Sequence, residues 1–231
     1  MTNLLIVESK NDKSFLEGLI EELNYSIEVR SPIKINDYEE LGGLSKSSLI
    51  KALSSVASSL RKREISKIGI VIDLDFETQA TRLALVNECM NETFKLDSNF
   101  TDTGELIDIQ TVDGEISLKA ACYFINVDGK GELETLLKRI KSKPSPHADC
   151  LEQWRACLNE HEISIKNKEF DKFWVSNYLR YDTCSPEERK QAGSKCSFSN
   201  FDYIMKNKIN IWDLSSPLLN ELKEFLRLFN E

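Results

Sequence analysis

The sequence predicts an α/β fold: a mostly parallel sheet flanked by helices, followed by an all-helical C-terminal extension. Two observations carry this expectation. Short apolar runs alternate with segments of helical periodicity through the first 96 residues, and a strand–helix–strand alternation is the signature of a parallel sheet covered on both faces. Past Lys143-Pro144-Ser145-Pro146, which reads as a stiff linker, only helical patterns remain. The expected division is therefore an α/β domain over 1–142 and a helical region over 143–231.

Leu4-Leu5-Ile6-Val7 reads as the first strand. Phe15, Leu16, Leu19, Ile20 and Leu23 then recur at helical spacing, with Asp12, or alternatively Asn11, as the N-cap. Ser26 to Arg30 alternates as a second strand, and Ser31-Pro32 opens a loop reaching Gly42-Gly43. Leu49, Leu53, Val56, Ala57 and Leu60 give a helix face between Ser45 and Arg63. Lys67 to Asp73 is apolar on both faces, as a doubly covered parallel strand should be. Leu83, Val86, Met90 and Phe94 place a helix over 78–96.

The stretches 105–111 and 116–120 flank Asp113-Gly114, a strong hairpin signal. Ala121 to Val127 reads as a further strand, the last of the core, and 132–141 as a helix. Beyond the linker, helices are expected near 147–160, 169–180, 199–207 and 216–229. The polar stretch 181–198, with Pro186 and Gly193, reads as a loop. Phe170, Trp174 and Tyr178 repeat at i, i+4 and i+8, which marks a packed helix face rather than a base-stacking platform. Leu218, Leu219, Leu222, Phe225, Leu226 and Leu228 are expected in the core or in an oligomer seam.

The most informative stretch is Ile70-Val71-Ile72-Asp73-Leu74-Asp75. Side chains along a strand alternate faces, so Asp73 and Asp75 share one side. Two like charges about 4 Å apart repel by about 4 kcal/mol at an effective dielectric near 20. A divalent cation offsets that repulsion most directly. Glu8 ends the first strand as Asp73 ends a later one, and open parallel sheets bind ligands outside the carboxyl ends of their strands. The three acids therefore form a candidate site for Mg²⁺ or Mn²⁺. Lys10, Lys13 and Lys130 near the strand ends are candidate phosphate contacts. Arg82 is placed with them, and for any one of these cations a solvated charged face is the simpler reading.

At these residues the chain resembles the Toprim family, the metal-binding domain of bacterial primases, type IA and II topoisomerases and the overcoming-lysogenization-defect nucleases. Val7-Glu8-Ser9-Lys10-Asn11-Asp12 matches the family's first motif, with Ser9 where a Gly is usual. Asp73 and Asp75 match its strand-terminal Asp-x-Asp, and Gly42-Gly43 falls about where the family often has a turn glycine. Small stand-alone bacterial Toprim proteins of unassigned role are similar also at Gly131-Glu132-Leu133-Glu134-Thr135-Leu136-Leu137. The resemblance covers residues 3 to 140. It implies a Toprim-like (Rossmann-like) sheet with Asp73, Asp75, Glu8 and Glu134 as metal ligands. In the family the matching Glu either ligates metal or moves a proton on or off a phosphoester oxygen, and the resemblance puts Glu8 in that role. Glu132 and Glu134 are expected about 200° apart around a helix, so that only one faces the site; Glu134 holds the family's position.

Bulk properties limit the function classes. Thirty basic against 38 acidic residues leave a net charge of −8, against the basic surplus that supplies most nucleic-acid affinity. Any nucleic-acid binding is expected to be weak and assisted by metal. No apolar run approaches the roughly 18 residues that span a bilayer, and the chain opens on a strand rather than a leader; a cytoplasmic protein without membrane contact is expected. The six cysteines are expected as reduced thiols packed like small hydrophobes. His147, Cys150, Cys157 and His161 suggest zinc. Cys150 and Cys157, however, stand about 10 Å apart along one helix, too far for one ion.

A topoisomerase or primase needs domains for which this chain has no room. The leading expectation is a metal-dependent nuclease. The rival is a non-catalytic Toprim module that binds a metal or a protein partner.

Overall fold

The computed structural model describes residues 2–30, 33 and 44–230. The expected loop at Ser31-Pro32 and the glycine pair Gly42-Gly43 lie outside the described residues. Contacts divide the chain into two units, Met1–Ile125 with Asn220–Glu231, and Asn126–Leu219. The expected boundary at 142 falls inside the second unit, and the last helix belongs to the first.

The first unit runs β1 (Thr2–Val7), α1 (Lys10–Glu22), β2 (Glu28–Val29), α2 (Lys46–Leu60), β3 (Ile65–Asp73), α3 (Gln79–Thr93), β4 (Phe94–Leu96), β5 (Ile107–Thr111) and β6 (Ser117–Ile125). Among the described residues the sheet order is β2-β1-β3-β6-β5-β4. β2, β1, β3 and β6 are parallel neighbours, and β5 and β4 complete the sheet antiparallel. The expected α/β class, with a mostly parallel sheet flanked by helices, is present.

Three local expectations are corrected. The stretches 116–120 and 121–127 are one strand, β6, because a central strand uses both of its edges. Ile107 to Gln110 of β5 pair antiparallel on one side, while Lys67 to Asp73 of β3 pair parallel on the other. Phe94 leaves the helix and opens β4 opposite Thr111, where its ring is buried. Aromatic residues fit a half-buried pleated surface, and this packing overrides the helical period. Finally, Ser9, not Asp12, caps α1: Asp12 N–H donates to Ser9 Oγ (3.2 Å) and Ser9 N–H to Asp12 Oδ2 (2.8 Å), a capping box.

Alternation along the strands gives the sheet two apolar faces. Leu4, Ile6, Ile68, Ile70, Ile72, Cys122 and Phe124 join Leu49, Leu53 and Val56 of α2 and Val86 and Met90 of α3 in one core. On the other face a Cβ at Gly69 would come 2.4 Å from Leu5 and 2.9 Å from Phe229, so the C-terminal segment lies directly against β3.

The second unit contains α4 (Leu133–Arg139), α5 (Pro146–Glu160), α6 (Asn167–Asn177), a π-helical turn at Tyr178–Asp182, the short α7 (Ala192–Lys195) and α8 (Phe201–Lys208). Phe170, Trp174 and Tyr178 are fully buried, as the i, i+4 spacing predicts. Tyr178 donates its hydroxyl to Ile211 O (2.9 Å), and its ring lies tilted against Trp212 (centroids 5.4 Å). The expectation of six reduced thiols is corrected here: Cys184 and Cys196 are disulfide-bonded across the stretch read as a loop. Cys89, Cys122, Cys150 and Cys157 are free. The spacing of 12 residues, without a Cys-x-x-Cys signature, had hidden the pair.

The chain then returns to the first unit as α9 (Asn220–Arg227). Phe225 meets Tyr123 of β6 (centroids 5.5 Å), and Asn3 Nδ2 donates to Phe229 O (2.5 Å). Leu222, Phe225 and Leu226 are therefore core residues rather than a seam. Among the described residues no helix is long and apolar enough to cross a membrane.

Candidate metal centre

β1 and β3 are parallel neighbours in which Val7 pairs with Val71. Glu8 leaves the sheet one residue past Val7, and Asp73 is two residues past Val71. Adjacent strands stand about 4.8 Å apart, so both acids emerge from neighbouring strands at the carboxyl edge of the parallel sheet. Glu8 is 3% and Asp73 7% exposed, and buried carboxylates need compensating charge or hydrogen bonds.

Asp75 reaches the site by a different route from the one its spacing predicts. β3 ends at Asp73, although Leu74 N–H still donates to Ile125 O (3.0 Å). Asp75 then takes φ 56, in the left-handed region. Asp is among the few non-glycine residues found there with any frequency, at a cost of order 1–3 kcal/mol. The turn closes with Glu77 N–H donating to Leu74 O (3.2 Å). Strand alternation therefore does not set its direction, yet carboxylate oxygens of Asp73 and Asp75 lie within 4.8 Å of each other.

Arg82 was the residue that sequence reasoning misplaced. Instead of lying on a solvated face, it is buried and its guanidinium makes an ion pair with Asp75 Oδ2. Its Nε donates to Leu74 O (3.4 Å). The signal was present in the helical period. Arg82, Val86, Cys89 and Thr93 follow at i, i+4, i+7 and i+11, and all four are buried on α3.

The donor set fits a hard cation. Oxygens on opposite sides of one ion stand about 4.2 Å apart for Mg²⁺ and up to about 5 Å for Ca²⁺, from bond lengths of roughly 2.1 and 2.3–2.6 Å. The Asp73 and Asp75 oxygens, within 4.8 Å of each other, meet the wider of these limits. Asp12 closes the capping box of α1.

The cationic candidates divide. Lys10 is exposed at the start of α1. Lys13 donates to Val29 O (2.7 Å) and pairs with Glu17 (3.2 Å), tying α1 to β2. Lys130 is exposed in the second unit, where its backbone closes a turn with Val127 (Val127 N to Lys130 O 2.7 Å).

Glu134 also lies in the second unit, buried on the first turn of α4 with Lys172 Nζ 3.9 Å away. Glu132 is the N-cap rather than a helical residue, with φ −140 and ψ −175, so the 200° argument does not apply to it. It is 2% exposed and pairs with Lys168 (2.7 Å). Its N–H donates to Thr135 Oγ1 (3.4 Å), and that hydroxyl donates to Asp171 Oδ2 (2.8 Å). Gly131, at φ +94, precedes this cap, and a Cβ there would meet Thr135 Oγ1 at 2.7 Å. The glycine in Gly131-Glu132-Leu133-Glu134 is thus demanded by backbone conformation and by the Thr135 side chain.

A family model described as "Protein of unknown function (DUF3226)" matches residues 2–231, and the chain belongs to that family. No curated protein and no solved structure matches it.

Proposed function

We propose that this member of the DUF3226 family is a Toprim-type hydrolase that cleaves phosphodiester bonds of nucleic acid with Mg²⁺ or Mn²⁺. The observation that carries the reading is the Asp73–Asp75 pair, with oxygens within 4.8 Å at the carboxyl end of a central parallel strand. Asp73 and Asp75 hold the ion, and Glu8, at the tip of the adjacent strand, completes its acidic surroundings. When bound, a divalent cation polarises a phosphoryl oxygen and lowers the pKa of its water. Glu8 moves a proton on or off the phosphoester oxygen. Lys10, exposed at the start of α1, contacts a flanking phosphate. Arg82 fixes the Asp75 carboxylate, so that the ligand is oriented before substrate arrives. Nucleic acid binds weakly, since a net charge of −8 offers few cations for phosphate contacts. A cytoplasmic location goes with this reading.

A second reading has its own observation. The Arg82–Asp75 ion pair already neutralises one carboxylate, as a non-catalytic module that binds a protein partner would require. Cleavage of single-stranded DNA, double-stranded DNA and structured RNA with Mg²⁺ and with Mn²⁺ separates the two. The hydrolase reading expects metal-dependent cleavage that Asp73→Asn abolishes. No cleavage of any substrate, together with stoichiometric co-purification of one defined protein, favours the module.

A further inference from the structure

The stretch from Thr183 to Asn200 in the second unit carries a different set of ligating side chains. The Sγ atoms of Cys184 and Cys196 and a carboxylate oxygen of Glu188 all lie within 4.8 Å of one another. Both cysteines are buried, and with Ala192 they form a small apolar cluster of their own. The secondary structure around them is a four-residue 3-10 turn, Glu188–Gln191, and the four-residue α7. Helices this short do not persist unaided, so contacts beyond their own turns, the Cys184–Cys196 bond among them, hold the segment.

Glu188 is held in position independently of the sulfurs. Its Oε2 accepts from Ser185 N–H (2.9 Å) and from Lys208 Nζ (3.0 Å). Lys208 Nζ also donates to Thr183 O (2.8 Å) and lies 3.9 Å from Cys196 Sγ. A fixed carboxylate and a fixed ammonium thus flank the two sulfurs.

We propose that, once the disulfide is reduced, Cys184, Cys196 and Glu188 bind one Zn²⁺, making this segment a zinc site gated by its own disulfide. Thiolate and carboxylate are zinc ligands, with bonds of about 2.3 and 2.0–2.2 Å, and ligand atoms around a tetrahedral ion stand about 3.3–3.8 Å apart. Breaking the S–S bond lets the two sulfurs move apart to that spacing, and a Glu188 oxygen already lies within 4.8 Å of both. Zn²⁺ with two thiolates and one carboxylate carries a formal charge of −1, which the Lys208 ammonium balances from a position able to donate to sulfur and to carboxylate. Three protein ligands leave the fourth position to water, as in open zinc sites.

The chemistry balances with a dithiol reductant. Two electrons and two protons pass from it to the S–S bond, which breaks to give two thiols, while the reductant closes to its own disulfide. When zinc enters, each thiol releases its proton to solvent. In the reverse direction a disulfide oxidant takes two electrons from the thiolates and two protons from solvent to become a dithiol, while the Cys184–Cys196 bond re-forms and the ion is released.

The test uses the full chain, reduced with a phosphine that is then removed without air, and titrated with Zn²⁺ against a chromophoric chelator. Alkylation at each cysteine is followed by peptide mass mapping. The proposal expects one equivalent of zinc bound to reduced protein. It expects alkylation of Cys184 and Cys196 to slow at least tenfold with zinc, while the exposed Cys150 and Cys157 react at unchanged rates. Glu188→Gln, which keeps both cysteines, should weaken zinc binding at least tenfold, and the oxidised chain should leave the site empty. Equal alkylation of Cys184 and Cys196 with and without zinc overturns the proposal. So does a disulfide that resists reduction in the folded chain.

Discussion

Arg82 and Asp75 form an ion pair at the end of β3, with side chains only 7% and 12% exposed. A guanidinium reaching back from the first turn of α3 thereby fixes an aspartate held in a left-handed backbone conformation. Breaking a buried ion pair of this kind costs up to about 3–5 kcal/mol. Arg82→Met should therefore lower the unfolding free energy by up to that amount in urea titrations. Millimolar Mn²⁺ should then raise the melting temperature more in the variant than in the wild type, because the cation takes over the lost charge. A variant as stable as the wild type would show that the ion pair contributes little.

Glu8 is proposed to act on the reacting oxygen rather than to grip substrate. Glu8→Gln should lower kcat by about 100-fold or more while KM changes less than about threefold, since a group used only in the transition state affects rate rather than binding. A rise in KM with unchanged kcat would reassign Glu8 to substrate binding.

Gly131 has φ +94 and faces Thr135, with a Cβ position 2.7 Å from Oγ1 and 2.9 Å from Cβ of that residue. Gly131→Ala should cost about 1–3 kcal/mol from backbone strain, measured by chemical denaturation. The loss should persist in Gly131→Ala/Thr135→Ala in so far as it comes from φ rather than from contact. Full recovery in the double variant would place the whole cost in the clash.

Asp113 in the β5–β6 turn is held well below the usual carboxylate range, at about 2. The Thr111 hydroxyl is the largest cause, followed by Glu115 N–H and then Arg61. The folded value lies below the unfolded value of about 3.9. Its contribution is therefore fully present above pH 4 and is lost as pH falls through 2. A carboxyl NMR titration should give a midpoint near 2, and a midpoint near 4 would remove Asp113 from the turn's hydrogen bonding.

Much of this architecture was legible in the amino-acid order because periodicity and burial agree. Leu49, Leu53 and Val56 face the core as their spacing demands, and Ile70 to Asp73 form a strand covered on both faces. The candidate site was legible in its acids but not in its cation. Asp73 and Asp75 do approach each other, but through a left-handed turn rather than through strand alternation. Arg82 was assigned by its charge to solvent, although its register with Val86 and Cys89 marked it as buried. The Cys184–Cys196 bond depends on a tertiary approach that no local period encodes. The merging of 116–120 with 121–127 likewise depends on β5 and β3 pairing with opposite edges of one strand.

The central claim is that the acids at the tips of β1 and β3 hold a divalent cation, and titration of the purified chain with Mn²⁺ by calorimetry tests it most directly. The account predicts saturable binding of Mn²⁺ that is lost in Asp73→Asn and weakened in Glu8→Gln. Saturable binding that survives unchanged in Asp73→Asn, or no saturable binding in the wild type, would contradict it.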